Sequence, residues 1–210
     1  MSPQMGRPHE FFRVGIQYYV AGRHALLSGH ETVAGNLFHQ GFEMILKADL
    51  LKPLYEQHSP GWTTGTSQQK AVAVQQYTNA ADQLLAKDLR HDLPKVWSRF
   101  KLVHPSAQLD PFDGLIRDLH KWWTLRYPGF PAGLGTQMTT SKVKTGRPVA
   151  TSSTPVDAYD LCLEDMDELL MVIAPLTYTV HAIQLAVGGR RLGASPGLDA
   201  YERENLHKLW

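Results

Sequence analysis

Along the first 127 residues, apolar side chains recur at spacings of three and four, the period of helices with one buried face. Pro8 suits a first helical turn, so a first helix is predicted from there to Ser28, stopped by Gly29. A second, over residues 31 to about 51, carries Val33, Leu37, Phe38, Phe42, Ile45 and Leu46 on its apolar side. It is expected to end at Pro53. Residues 58–66, HSPGWTTGT, are dense in turn formers and read as a loop. Ser67 then has the chemistry of an N-cap, ahead of Val74, Tyr77, Ala81, Leu84 and Leu85 at core spacing. A short helix is expected over 92–102, with Pro94 tolerated in its first turn. Asp110 and Pro111 restart the pattern. Phe112, Leu115, Ile116, Leu119, Trp122 and Trp123 then form the cleanest amphipathic stripe in the chain.

The pattern breaks at Pro128. Residues 129–155 are rich in Gly, Pro, Ser and Thr, which argues against a helix. Two short runs there, 136–143 and 148–153, flank a turn-like Lys144, Thr145, Gly146 and Arg147, so the segment is either a small β-hairpin or a loop. Any strand is expected here and nowhere else. Helical pattern returns over 156–187, bent or broken at Pro175, and a last helix is expected near 198–209. The fold class predicted is therefore all-α: an up-and-down helical bundle with one irregular or hairpin segment.

Composition changes this picture little. Hydrophobic residues at 43% and charged residues at 20% suit one globular domain of 210 residues. The net charge of +1 provides no global basic field to announce nucleic acid. Cys162 is the single cysteine, which excludes an internal disulfide or a thiolate zinc site and reads as a small buried hydrophobe. The start of the sequence lacks the apolar run of a secretory signal. Residues 169–187 are apolar but contain Pro175, His181 and Gln184, so a core helix explains them better than a membrane span. A cytoplasmic protein with no membrane association is expected. There are ten histidines, yet only Glu204 and His207 have the spacing of a bundle metal site, and no metal or cofactor is expected.

The candidate chemistry lies in three segments. His39, Glu43 and Lys47 stand at i, i+4 and i+8 and share one helix face. That face is either a solvated stripe, its ion pair worth about 0.3–0.5 kcal/mol, or one wall of a polar groove. His91 and Asp92 open a later helix, and Arg126 sits three and four residues beyond Trp123 and Trp122, at the edge of the apolar stripe. An arginine there needs an anion, a carbonyl or an aromatic ring. The partner is either a carboxylate such as Glu43 or Asp92, or a ligand phosphate.

In chain order these segments read AGNLFHQGFEMILKADLL (34–51), HDLPKVW (91–97) and LRYPG (125–129). The series resembles the HEPN family, in which an early helix carries an aromatic or His, a Glu and a Lys before Leu-Leu. An HDL-type segment then opens a later helix, and RYP closes another. The resemblance implies a single HEPN-like domain with its core at 9–128 and 156–187, insertions at 59–90 and 129–155, and a tail at 188–210. It implies a ligand site of Arg126, Tyr127, His39, Glu43, Lys47, His91 and Asp92, and a homodimer paired through the faces that carry the Arg. Nucleotide or RNA is the implied ligand. A small nucleotidyltransferase is an implied partner, and host defence or a toxin–antitoxin system an implied setting. Many HEPN proteins are metal-independent ribonucleases whose motif is an Arg and a His separated by four to six residues. Here YPGFPAG follows Arg126, with no His. Arg23 with His30 and Arg99 with His104 have the spacing but lie elsewhere in the pattern. The expectation is a non-catalytic or weakly catalytic binding domain. The alternatives are a ribonuclease pairing Arg126 with His91, or a purely structural dimeric domain.

Overall fold

The computed structural model describes residues 7–124, 137–141 and 158–177. Helix α1 (Pro8–Leu27) opens at the predicted proline and packs antiparallel on α2 (Glu31–His58). The approach is close because Gly15 lacks a side chain. A Cβ there would lie 2.8–2.9 Å from Ile45 and from the Gly41 carbonyl oxygen. Phe12, Ile16, Tyr19 and Val20 of α1 meet Phe38, Phe42, Ile45 and Leu46 of α2 in the main core. Val33, expected on the apolar side of α2, is exposed instead.

Helix α2 does not stop at Pro53 but continues to His58. An interior proline removes one helical hydrogen bond and costs about 3 kcal/mol. Packing offsets it: Leu51, Leu54 and Tyr55 form a second apolar cluster with Trp62, Tyr77 and Ala81. Trp62 comes from α3 (Pro60–Thr64), a short helix in the stretch read as a loop. Proline at its first position and the need to seat Trp62 against Tyr55 and Tyr77 account for it. Helix α4 (Ser67–Asp82) is capped by Thr66 rather than Ser67, in a reciprocal box with Gln69. A π-helical segment (Gln83–Leu89) follows, then α5 (Leu93–Val103), capped by Asp92.

A 3-10 turn (Asp110–Phe112) leads into α6 (Asp113–Thr124), whose stripe buries Ile116, Leu119 and Trp122. Gly35 of α2 makes room for that tryptophan, since a Cβ would come within 2.5 Å of its ring. Strand β1 (Gln137–Ser141) then pairs with β2 (Ala158–Cys162), and α7 (Leu163–Thr177) completes the described chain.

The strand pair is parallel, with Gln137 opposite Ala158 and Ser141 opposite Cys162. A parallel partner must lie a long connection away, here across residues 142–157. The run 148–153, the other arm in the hairpin reading, lies with residues 142–157 outside the described residues. The pair corrects the sequence reading in one respect: β2 falls in 156–187, where helix was expected and strand excluded. A short apolar run cannot be assigned by periodicity alone, and Leu161 and Cys162 are both buried. The Asp160 carbonyl accepts a hydrogen bond from Trp122 Nε1 at 3.2 Å, fastening β2 to α6.

Helix α7 runs through Pro175 and lays Met166, Leu169, Leu170 and Ile173 into the main core. The architecture is an α-helical bundle carrying one two-stranded ribbon. Among the described residues, no helix is long and apolar enough to cross a membrane. The helix expected near 198–209 lies outside the described residues.

Candidate functional site

Helix α2 presents His39, Glu43 and Lys47 inward, at 0%, 1% and 4% exposure, which excludes the solvated stripe. A buried carboxylate needs a counter-charge, and Lys47 supplies it, with Nζ 2.5 Å from Glu43 Oε1. The same ammonium donates to the carbonyl of Arg90. Next in the chain, His91 turns its ring onto the pair. Its Nδ1 lies 3.1 Å and 3.4 Å from the two Glu43 oxygens. Unlike the trio, the His91 side chain is 62% exposed.

Helix α6 closes the other side. His39 Nδ1 stands 3.7 Å from Glu43 Oε2, too long for a hydrogen bond. His39 Nε2 lies 3.4 Å from Nδ1 of His120, and the indole of Trp123 stacks on His39 at 4.8 Å and 17°. The same indole lies 5.2 Å from the His91 ring, tilted by 32°. One carboxylate, one ammonium, three imidazoles and an indole therefore meet in one place.

The turn that delivers His91 has an unusual backbone. The preceding turns are π-helical, a rare form concentrated at functional sites, closed by the Arg90 N–H on the Leu85 carbonyl at 2.8 Å. Arg90 itself has φ 49° and ψ −131°, the one non-glycine residue at positive φ among the described residues. Such a conformation costs about 1–3 kcal/mol and persists only where surroundings hold it. Lys47 on its carbonyl and Leu85 on its N–H are two of those restraints.

The structure thus brings together His39, Glu43, Lys47 and His91 from the expected set. Asp92 faces its own helix, where its Oδ1 accepts the Lys95 N–H at 3.0 Å as the α5 cap. Arg126 and Tyr127 lie outside the described residues. His120 and Trp123 are additions. Trp123 was counted as stripe and His120 passed over, although it stands three residues earlier on the same helix flank. The two histidine spacings found elsewhere have other fates. Arg23 is 2% exposed and pairs with Asp167, while His104 Nε2 lies 2.6 Å from Asp49 Oδ2.

Chemically, a carboxylate on Nδ1 fixes the orientation of the His91 imidazole and leaves its other nitrogen for an incoming group. With Nδ1–H turned to the carboxylate, that nitrogen accepts a hydrogen bond in the neutral ring and donates one in the protonated ring. No set of three or more His, Cys, Asp or Glu side chains arranged to hold a metal ion occurs among the described residues. Comparison with models of known protein families, with curated proteins and with solved structures finds no match.

Proposed function

We propose that this chain is a HEPN-like domain that binds nucleotide or RNA at the Glu43–His91–Trp123 site, as a cytoplasmic homodimer without strong catalysis of its own. The observation that carries the reading is His91. It is exposed, held through Nδ1 by a buried, lysine-neutralised carboxylate, and tilted beside an indole. An imidazole edge next to an aromatic face suits a nucleotide, because bases stack on aromatic rings for about 1–3 kcal/mol each. Phosphate oxygens accept hydrogen bonds from the protonated form of such an imidazole. The convergence of the α2 trio with the HDL segment that opens α5 supports the HEPN-like reading. Arg126, Tyr127, the dimer and a nucleotidyltransferase or toxin–antitoxin partner belong to the proposal on the resemblance alone.

The test is binding of labelled single-stranded RNA and of ATP by the native chain, His91→Ala and Trp123→Ala. Both variants should weaken binding, and raised salt should weaken it further. Variants that bind as the native chain does would sink the site and leave a purely structural network. The exposed His91 leaves room for a second reading, a metal-independent ribonuclease in which His91 serves as acid or base and Arg126 enters on the resemblance alone. RNA cleavage in the presence of a chelator, lost in His91→Ala, would establish it over binding alone.

A further inference from the structure

Arg90 is an arginine where the backbone favours glycine. At φ 49° and ψ −131° a Cβ is crowded by the flanking backbone, and the other positive φ among the described residues belongs to Gly29. The conformation itself has a use. It points the Arg90 carbonyl at the buried Lys47 ammonium, closes the π-helical turn on Leu85 and sets His91 against Glu43. All three contacts are made by the backbone of residue 90 or by its neighbour. Glycine would make them without strain, so they do not explain the side chain.

That side chain is exposed, and its guanidinium forms no ion pair or hydrogen bond with the described residues. Lys47, the ammonium inside the site, is already engaged by Glu43 at 2.5 Å and is not left over for a ligand. A phosphate arriving at His91 needs a permanent cation, and a guanidinium offers one with a planar fork that matches two phosphate oxygens. We infer that Arg90 is a phosphate-binding residue of this site, gripping the phosphate of a nucleotide or RNA strand next to His91. The inference rests on the nucleotide-binding reading above and adds to it a residue that no part of the sequence pattern singled out. It also gives the strained turn a purpose, since strain of this kind collects where a side chain must be held out toward a ligand.

The distinguishing test is Arg90→Gly, which removes the guanidinium and relieves the backbone together. Binding of fluorescein-labelled single-stranded RNA and of ATP is followed alongside the melting temperature, with Arg90→Lys as the conservative variant. Arg90→Gly is expected to melt at the native temperature or above it while affinity falls about tenfold or more. The slope of log affinity against log salt should flatten by about one phosphate contact. Arg90→Lys should fall between the two in affinity, with its charge kept and its fork lost. Loss with both probes assigns the contact to a phosphate that ATP also carries; loss with RNA alone assigns it to an internucleotide phosphate, and either supports the inference. A native chain that binds a probe, with Arg90→Gly binding it equally well, overturns the role of Arg90 and leaves the binding reading standing. A native chain that binds neither probe overturns both. A melting temperature that drops in Arg90→Gly, with affinity unchanged, makes the guanidinium structural and also overturns the inference.

Discussion

Two of the polar clusters in the bundle differ in what they do with their charge. At the junction of α1 and α7, Tyr19 and Arg23 both grip one oxygen of Asp167, with Arg23 2% and Asp167 21% exposed. At the junction of α2, α5 and α6, Glu43 is the buried member and His91 stands 62% in solvent. The first cluster is a bolt: each group reaches across to the other helix, and the backbone around it is regular. The second has an open end, an aromatic wall and a strained turn feeding it. Burial of charge alone therefore does not mark a site in this molecule. What sets the proposed site apart is an exposed imidazole held from behind by buried partners.

The comparison breaks most visibly at the bolt. Asp167→Ala takes the carboxylate from a buried guanidinium, and chemical denaturation should show a loss of about 3–5 kcal/mol with no change in nucleotide or RNA binding. A binding defect there would erase the distinction between the clusters. Lys47→Met should cost less, about 2–3 kcal/mol, because Glu43 keeps His91 and through it some access to water. It should also release the Arg90 carbonyl, so binding is expected to fall with stability.

Tyr19→Phe comes next, at about 1 kcal/mol for its hydrogen bond at neutral pH. That cost shrinks in alkali. Burial pushes the Tyr19 hydroxyl well above the usual tyrosine range, and the charge of Asp167 adds to it. The folded state thus holds this proton more tightly than the unfolded chain. The stability this contributes is fully present below the ordinary tyrosine value and is lost as pH rises above it. Native protein should lose stability through that alkaline range more steeply than Tyr19→Phe, as followed by circular dichroism. His91→Ala should cost no more than Tyr19→Phe, about 1 kcal/mol, because Lys47 still holds Glu43, yet its binding loss should be among the largest. Stability and binding moving together in that variant would make the second cluster another bolt.

The helical stripes were legible because each satisfies one rule locally. Phe38, Phe42, Ile45 and Leu46, or Ile116, Leu119 and Trp122, bury one face whatever lies opposite. Pro53 was misread because the packing that carries α2 past it comes from Trp62 and Tyr77, residues of other elements. Strand β2 was misread because its partner lies across residues 142–157, and no local signal announces a parallel neighbour. The site divides in the same way. His39, Glu43 and Lys47 are joined by helical spacing and His91 by the family resemblance. His120 and Trp123 enter only through the packing of α6 on α2, which no spacing within α6 reveals. The strain at Arg90 is a backbone property, invisible in the identity of the residue that bears it.

The bolt has a consequence for synthesis on the ribosome. Tyr19 and Arg23 are made early, but the carboxylate they share is 144 residues beyond Arg23. At usual elongation rates of about 5–20 residues per second, that wait is on the order of ten seconds. Through it, α1 and α2 can already pair through Gly15 and Ile45, while Arg23 faces a position that α7 has not yet come to fill. Until the late helix docks, the face of α1 that carries Tyr19 and Arg23 lacks the Asp167 carboxylate that both grip. Apolar surface left uncovered in that interval is what makes a partly made chain prone to aggregation.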